Sequence, residues 1–336
     1  MLAFIKGVDM ENKVTIIGCM GSGKTMYLAG MYRHMSGLGC KNYTIGAVDP
    51  NQDLYLANMW NGLYKGRFPA ATNDSETYTF HIAYHYKSVC DFDWLDYPGG
   101  LLSDPNNPQW KKMKESIETA DCLLLVLDGE KFQIEAEDKE DYKKKLKSKL
   151  IYDSGIRDEI KEFNCLSQKS IRIPPVCLLI TKCDLINRDY KESIESALQE
   201  VLSGLFASTP LGIITGVSLG ENIRENGPKP WCLEEPIAFA VLTILLKYMV
   251  MLRSGQDDQR DVIERNRGWF QRWRDREQIE LARQTLEKLA ALGNKWKEDA
   301  YMLLDLFDSG KVVYVHGQNR NFREYIPQFM SEILDG

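Results

Sequence analysis

The stretch GCMGSGKT occupies residues 18–25 and follows the spacing G-x-x-x-x-G-K-T. Residues 13–17 before it read KVTII, which predicts a short strand, and residues 26–32 after it read MYLAGMY, which can continue a helix. Gly18, Gly21 and Gly23 allow a tight turn whose backbone N–H groups point inward. A strand, such a turn and a helix N-terminus together predict a loop that binds phosphate groups.

The polar residues of this loop have predictable roles toward a nucleotide. Lys24 can reach the β- and γ-phosphates, and the Thr25 hydroxyl can ligate Mg²⁺. The predicted phosphate contacts are Gly18, Gly21, Ser22, Gly23, Lys24, Thr25 and Met26.

The composition restricts the class of protein. With 44% hydrophobic and 27% charged residues among 336, the chain can bury a sizeable core, and its net charge of −6 argues against nucleic acid as a partner. None of the eight cysteines forms a C-x-x-C pair, which is typical of free thiols in a reducing cytosol. The first 13 residues lack a signal-peptide core, and the most apolar segment, 236–252, is short for a membrane span and contains Lys247. We therefore expect a cytoplasmic protein without a membrane span.

Strand-like and helix-like segments alternate through residues 1–254, which predicts an α/β fold with a mostly parallel sheet and helices on both faces. The predicted strands are 13–18, 76–86, 89–96, 122–127, 176–181 and 213–218, and the predicted helices are 24–35, 52–64, 108–119, 131–150, 189–206 and 235–252. Residues 255–336 are predicted to form a mainly helical extension, with one or two helices over 257–292 and another over 294–308. Its aromatic residues Trp269, Phe270 and Trp273 are interpreted as core packing or as anchors for a partner.

A second motif, DYPG at residues 96–99, follows a strand. Asp96 at the strand end can hold a Mg²⁺-bound water opposite Thr25, and the backbone N–H of Gly99 can approach the γ-phosphate. D-x-x-G is common by chance, so its position after the phosphate loop carries the prediction.

A third motif, TKCD at residues 181–184, follows another strand. A carboxylate at Asp184 can accept two hydrogen bonds from guanine N1–H and N2–H₂, which adenine lacks, so this residue would select GTP over ATP. The base contacts predicted here are Thr181, Lys182, Asp184 and Leu185, with Lys182 lying along base and ribose. A fourth segment, VSLG at 217–220, can offer the backbone N–H groups of Ser218 and Leu219 to the guanine oxygen. Polar turns are the alternative interpretation of both segments, and TKCD as a chance turn would leave an ATP-binding protein.

These four motifs, in this order, resemble a P-loop GTPase of the TRAFAC (translation-factor-related) class over residues 12–252. W-x-x-L-x-x-G-x-F-P-x-x-T at 60–72, together with EEP at 234–236, resembles the bacterial double-GTPase group of prokaryotic conflict and defence gene clusters. The resemblance implies a three-layer Ras-like fold, GTP/GDP and Mg²⁺ as cofactors, and hydrolysis of GTP. It also implies that Thr72 closes the first switch over Mg²⁺ and the γ-phosphate, with Ser75, Thr77 and Thr79 as alternatives.

Two positions depart from the pattern. Thr181 stands where the family usually has asparagine, which we expect to loosen one contact that braces the phosphate loop. Gly100 stands where Ras-like enzymes place the glutamine that orients the attacking water, so we expect slow intrinsic hydrolysis. Arg67 can supply a catalytic arginine in cis or can be a solvated loop residue, and a protein partner or a second protomer can complete the site in trans. The rival interpretation is a nucleotide-stabilised scaffold with negligible turnover.

Overall fold

The fold is seen in a computed structural model, which describes residues 11–36, 40–69, 74–99, 101, 107–168, 172–265 and 276–335. The strands are β1 (Lys13–Gly18), β2 (Tyr43–Ala47), β3 (Glu76–Tyr84), β4 (Lys87–Asp96), β5 (Cys122–Asp128), β6 (Val176–Thr181), β7 (Gly212–Gly216), β8 (Val312–Val315) and β9 (Gln318–Asn321). The helices are α1 (Lys24–Met35), α2 (Pro50–Tyr64), α3 (Pro108–Thr119), α4 (Lys139–Tyr152), α5 (Ser154–Gln168), α6 (Lys191–Val201), α7 (Ser203–Ser208), α8 (Ile223–Asn226), α9 (Glu234–Arg265), α10 (Arg276–Leu303) and α11 (Phe322–Asp335). The predictions for Thr72, Gly100, Trp269, Phe270 and Trp273 lie outside the described residues.

The strands form one sheet in the order β2-β3-β4-β1-β5-β6-β7-β8-β9. The five central strands, β4 to β7 in that order, are mutually parallel, while β2 and β3 extend one edge antiparallel and β8 pairs antiparallel with β7. The predicted hairpin of β3 and β4 is present. The mostly parallel α/β sheet predicted from the sequence is therefore confirmed.

Burial along β5 shows that both faces of the sheet are covered. Leu123, Leu125 and Leu127 belong to a core cluster that includes apolar residues of α3, α4, α5 and α6, whereas Leu124 and Val126 point to the opposite face and are equally buried. A strand covered on both faces reads as a continuous apolar run, which explains the sequence CLLLVLD.

The parallel register brings the strand ends that carry the motifs to one edge. Ile16 pairs with Asp96, Gly18 with Val126, and Asp128 with Thr181. The phosphate loop, the DYPG segment and the TKCD segment thus leave neighbouring strands on the same side, where open α/β sheets bind their ligands.

Several elements differ from the predictions. Strand β2 and helix α5 were not predicted, and α4 begins at 139 rather than 131 because the Asp138 side chain caps it by accepting from Asp141 N–H. The predicted helix 189–206 is divided into α6 and α7, and α9 continues to Arg265. Helix α10 passes through Gly293 without the predicted break. A Cβ there would lie 3.3 Å from the Leu334 side chain, so the glycine permits close packing instead of ending the helix.

The chain divides into two compact units. The first comprises Met1–Ala240 and Val312–Arg320 and carries the sheet, and the second comprises Val241–Lys311 and Asn321–Gly336. The predicted domain boundary near residue 254 stays a prediction. Within the described ranges, one helix, spanning Glu234–Glu264, is long and apolar enough to cross a membrane by length and composition, but 83% of its most apolar window is buried. This burial is typical of the core helix predicted at 236–252.

Candidate functional site

The loop between β1 and α1 adopts the conformation that the glycines allow. Gly21 and Gly23 have positive φ of 79° and 90°, and α1 begins at Lys24. The buried Lys24 ammonium donates to the carbonyl oxygens of Gly18 at 2.8 Å and Cys19 at 3.2 Å. Burial lowers the pKa of Lys24, whereas the nearby Asp96 carboxylate favours the charged form. The Lys24 side chain thus lies across the loop, with its ammonium group near the N-terminus of α1.

Thr181 braces the phosphate loop from β6. Its hydroxyl lies 2.6 Å from the Ser22 carbonyl oxygen and 3.2 Å from the Leu127 carbonyl oxygen, inside the protein. A Cβ on Gly23 would meet the Thr181 side chain at 3.3 Å, which shows how closely the two segments pack. The Thr181 hydroxyl therefore makes a bracing contact with the loop, and the expected loosening relative to asparagine stays a prediction.

A second buried contact holds the loop from α5, the helix that the sequence analysis did not predict. The Cys19 N–H donates to Glu159 Oε1 at 2.9 Å, and Lys131 Nζ lies 3.6 Å from Oε2. Burial raises the pKa of Glu159, and burial together with the Glu159 charge raises the pKa of the Cys19 thiol to about 12. Only the apolar spacing of Ile156, Ile160 and Phe163 signals that this helix faces the core.

Asp96 ends β4 as a buried carboxylate. It is 1% exposed, and its Oδ1 has no hydrogen-bond partner within the described part of the chain. Burial raises the pKa of Asp96 to about 6, the Lys24 charge opposes this, and Glu76 on the neighbouring strand adds to it. A buried carboxylate oxygen without a partner is costly. With the Thr25 hydroxyl at the start of α1, it fits the hard oxygen ligands that Mg²⁺ prefers.

Gly99 lies directly against the phosphate loop. A Cβ at this position would come 2.4 Å from Met20 N and 2.5 Å from the Cys19 carbonyl carbon. No side chain fits into this space, so the approach of the DYPG segment to the loop depends on glycine. The Gly99 backbone therefore lies in close contact with the backbone of Cys19 and Met20.

A cavity of about 570 Å³ opens beside Gly21 and Gly23 and extends to Asp184. The Ser218 hydroxyl donates to Asp184 Oδ1 and accepts from Gly220 N–H at 2.7 Å. These contacts fix the carboxylate toward the cavity, whose wall also includes Leu219. Met26 and Leu185, predicted as nucleotide contacts, line the same cavity.

Lys182 also borders this cavity, in a left-handed conformation with φ of 51°. Its Nζ lies 2.8 Å from Asp128 Oδ2 and 3.0 Å from Glu130 Oε2. The ammonium is thus oriented by two carboxylates. The predicted position along base and ribose stays a prediction.

Phe68 and Arg224 are among the lining residues that the sequence analysis missed. The Arg224 guanidinium lies 5.1 Å from the centre of the Phe68 ring. Phe68 belongs to the F-P pair at 68–69, which was noted only for the family resemblance, while Arg224 has no motif that would single it out.

The remaining predicted site residues lie in or near the segment before β3. Arg67 is exposed, and its backbone N–H donates to the Gly62 carbonyl at 2.9 Å. Ser75 and Thr77 are exposed, whereas the Thr79 hydroxyl donates to Asp93 at 2.8 Å within the β3–β4 hairpin. Thr79 is therefore the least suited of the three to close over a nucleotide.

Comparison with known proteins finds distant structural similarity. No protein-family model and no curated protein matches the chain. The signal recognition particle receptor SRb-GTP/SRX complex from Chaetomium thermophilum is similar with a TM-score of 0.34 and 14% identity, covering 64% of this chain and 95% of that one. The S. cerevisiae Ski7 GTPase-like domain is similar in its GTP-bound form, with a TM-score of 0.38 and 17% identity. Its form with GDP and inorganic phosphate is similar with a TM-score of 0.38 and 15% identity. This chain spans about half of the Ski7 chains, 46% and 48%. The case for a nucleotide site therefore rests on the loop and the cavity themselves.

Proposed function

We propose that this chain is a guanine-nucleotide-binding switch of the TRAFAC type that hydrolyses GTP slowly, with Mg²⁺, in the cytoplasm. Hydrolysis is stimulated by a protein partner or by a second protomer, in a setting of the prokaryotic conflict and defence kind that the 60–72 segment resembles. The observation that carries the proposal is the Asp184 carboxylate, oriented by Ser218 in a cavity that begins at the phosphate loop.

The choice of guanine follows from the chemistry of Asp184. A carboxylate held by a hydroxyl on one oxygen keeps lone pairs to accept the two parallel N–H groups of guanine. Adenine would place an acceptor and a C–H there, leaving the carboxylate unpaired and costing about 1–3 kcal/mol. The cavity volume of about 570 Å³ is that of a small-molecule site, which supports a nucleotide as its occupant.

The phosphate end is supported by the loop and its charges. The glycine turn and the start of α1 favour anions, and Lys24 adds a positive charge there. Asp96 and Thr25 would hold the Mg²⁺, which neutralises phosphate charge when bound.

The proposed switch rests on two contacts with the phosphate loop. Gly99 touches the backbone of Cys19 and Met20 with no side chain between them, so the DYPG segment follows displacements of the loop. Slow turnover rests on Gly100, which has no side chain to orient a water, and on the exposed position of Arg67.

The experiment is a titration of the full-length protein with fluorescent GDP, GTP, ATP and xanthine nucleotides, with and without Mg²⁺. We expect guanine-selective, Mg²⁺-sensitive binding. Asp184→Asn should lose guanine affinity by at least about tenfold and gain xanthine affinity, because an amide N–H can donate to the xanthine oxygen. Asn187→Asp, in the same loop but engaged in capping its own turn, serves as the variant that should leave the preference unchanged. Equal binding of ATP, or an unchanged preference in Asp184→Asn, would refute the assignment.

The scaffold alternative is favoured by one observation, the glycine at position 100. It differs from the switch in turnover. The discriminating measurement is multiple-turnover phosphate release, alone and with cognate partners. A rate equal to that of GTP in buffer without protein, at all protein concentrations, would favour the scaffold.

A further inference from the structure

Three metal-ligating side chains, His34, Cys40 and Glu234, surround one point at the C-terminal end of α1, the end opposite the phosphate loop. A ring nitrogen, the sulfur and a carboxylate oxygen all lie within 4.8 Å of one another. All three residues belong to the unit that carries the sheet. His34 lies in the last turn of α1, Cys40 precedes β2, and Glu234 is the first residue of α9. Because Glu234 is 194 residues after Cys40 (234 − 40), no local sequence spacing signals this cluster.

The distances agree with a tetrahedral metal site. With zinc bonds of about 2.0 Å to nitrogen and oxygen and about 2.3 Å to sulfur, two light ligands lie roughly 3.3 Å apart and the sulfur roughly 3.5 Å from either. His34 Nε2 lies 3.3 Å from Glu234 Oε2. Since no pair of donor atoms is more than 4.8 Å apart, the largest separation exceeds the tetrahedral sulfur spacing by about 1.3 Å at most.

The carboxylate oxygen that faces the cluster lacks a hydrogen-bond donor. Glu234 Oε2 is buried and, across the ranges that the structure describes, accepts no hydrogen bond, although His34 Nε2 is only 3.3 Å away. The nitrogen and the oxygen thus form an ion-pair contact that does not meet hydrogen-bond geometry. A cation between them would satisfy both.

Two backbone hydrogen bonds hold the main chain of Cys40 in place. Cys40 N–H donates to the Tyr43 carbonyl and Tyr43 N–H to the Cys40 carbonyl, each at 2.8 Å. The His34 side chain is 32% exposed and that of Glu234 17% exposed, so an ion can enter from solvent.

We propose that His34, Cys40 and Glu234 bind a divalent transition-metal cation of the zinc class, with water as the fourth ligand. Imidazole and thiolate ligands select zinc over Mg²⁺, which takes hard oxygen ligands, so this site is separate in place and in chemistry from the proposed nucleotide site. A bound ion would fasten the far end of the helix that begins at Lys24 to the first residue of α9. The proposal does not depend on GTP binding.

The test loads the full-length protein with Co²⁺ in metal-free buffer, then displaces it with Zn²⁺. We expect one equivalent of Co²⁺, visible d–d bands of tetrahedral intensity, and a thiolate-to-cobalt charge-transfer band. Zinc should displace the cobalt and raise the melting temperature. Cys40→Ser should abolish the charge-transfer band and weaken zinc binding by at least about 100-fold, and Glu234→Gln should weaken it by at least about tenfold.

Cys165→Ser is the matched control, because this half-buried cysteine on α5 lies outside the cluster. Its cobalt spectrum should equal that of the unmodified protein, and circular dichroism checks that each variant is folded. A cobalt spectrum without the charge-transfer band would overturn the proposal. So would equal zinc affinity in Cys40→Ser and Cys165→Ser, which would leave the three residues as an ion pair beside a thiol.

Discussion

Replacing Thr181 by valine removes one hydroxyl and keeps the shape of the side chain. The hydroxyl lies within hydrogen-bond distance of the carbonyl oxygens of Ser22, at 2.6 Å, and Leu127, at 3.2 Å. A net hydrogen bond contributes about 1 kcal/mol, and a buried carbonyl left without a donor costs about 1–3 kcal/mol. We therefore expect Thr181→Val to lower the free energy of unfolding by about 1–3 kcal/mol.

The Ser22 carbonyl belongs to the phosphate loop, so the same change should loosen the loop before a nucleotide binds. Reordering it at a cost of about 1.4 kcal/mol would weaken GTP and GDP binding by about tenfold. Urea unfolding and fluorescent-nucleotide titration measure the two quantities on the same protein.

Thr209→Val is the matched control. The Thr209 hydroxyl is also fully buried and lies 2.7 Å from the Pro174 carbonyl oxygen and 2.8 Å from that of Leu211, in the loop before β7. This variant should lose similar stability and keep its nucleotide affinity. If both variants lose stability and both keep their affinity, Thr181 does not brace the nucleotide site and the reasoning is refuted.

Three further predictions concern the buried charges and the glycine contact around the loop. Burial raises the pKa of Asp96 from 3.8 to about 6, so the folded state binds more protons than the unfolded state between these values, and the free energy of unfolding should fall as pH rises through this window. In urea unfolding from pH 4 to 7, Asp96→Asn should remove that pH dependence and stabilise the nucleotide-free protein by about 3 kcal/mol at most. It should also abolish the effect of Mg²⁺ on GTP affinity. An unchanged pH dependence would contradict the burial argument. Gly99→Ala should lower the free energy of unfolding by about 1–3 kcal/mol and reduce the difference between GTP and GDP affinity, because its Cβ would lie 2.4 Å from Met20 N. Gly46→Ala is the control: its Cβ would meet open space among the described residues, so it should change neither quantity. Glu159→Gln keeps an acceptor for the loop N–H and should bind nucleotide nearly normally, while Glu159→Ala should weaken binding at least about fivefold; equal affinities in the two variants would remove Glu159 from loop support.

The parts of the molecule that the sequence predicted are those encoded by neighbouring residues. The bounds of β1, β6, α1 and α3 agree with the prediction because a short apolar run, a glycine turn or an Asn-Pro cap defines each one locally. The alignment of Asp96, Gly18 and Thr181 at one sheet edge followed from the parallel α/β pattern. The same pattern placed the Asp184 carboxylate in one cavity with Gly21 and Gly23 of the phosphate loop.

Contacts between distant segments could not be predicted in this way. Glu159 meets the Cys19 N–H across 140 positions, and the Ser218 hydroxyl meets Asp184 across 34. The Thr181 hydroxyl likewise meets the Ser22 carbonyl across 159 positions. How closely β6 packs against the loop is seen at Gly23, where an added Cβ would meet the Thr181 side chain at 3.3 Å.

The buried charges around the loop link the stability of the protein to its ligand. Lys24, Asp96 and Glu159 are each less than 10% exposed, and burial opposes the charged form of all three. A core built for stability alone would place apolar residues there, because even a paired buried charge rarely stabilises a fold more than a well-packed side chain does. Two of these three residues could interact with a bound ligand. Lys24, near the N-terminus of α1, would contact the nucleotide phosphates, and the Asp96 oxygen without a hydrogen-bond partner would contact a cation. Nucleotide with Mg²⁺ should therefore raise the melting temperature of the unmodified protein by more than that of Asp96→Asn. In the unmodified protein the ligand also relieves the free-energy cost of the buried Asp96 charge, which the variant lacks.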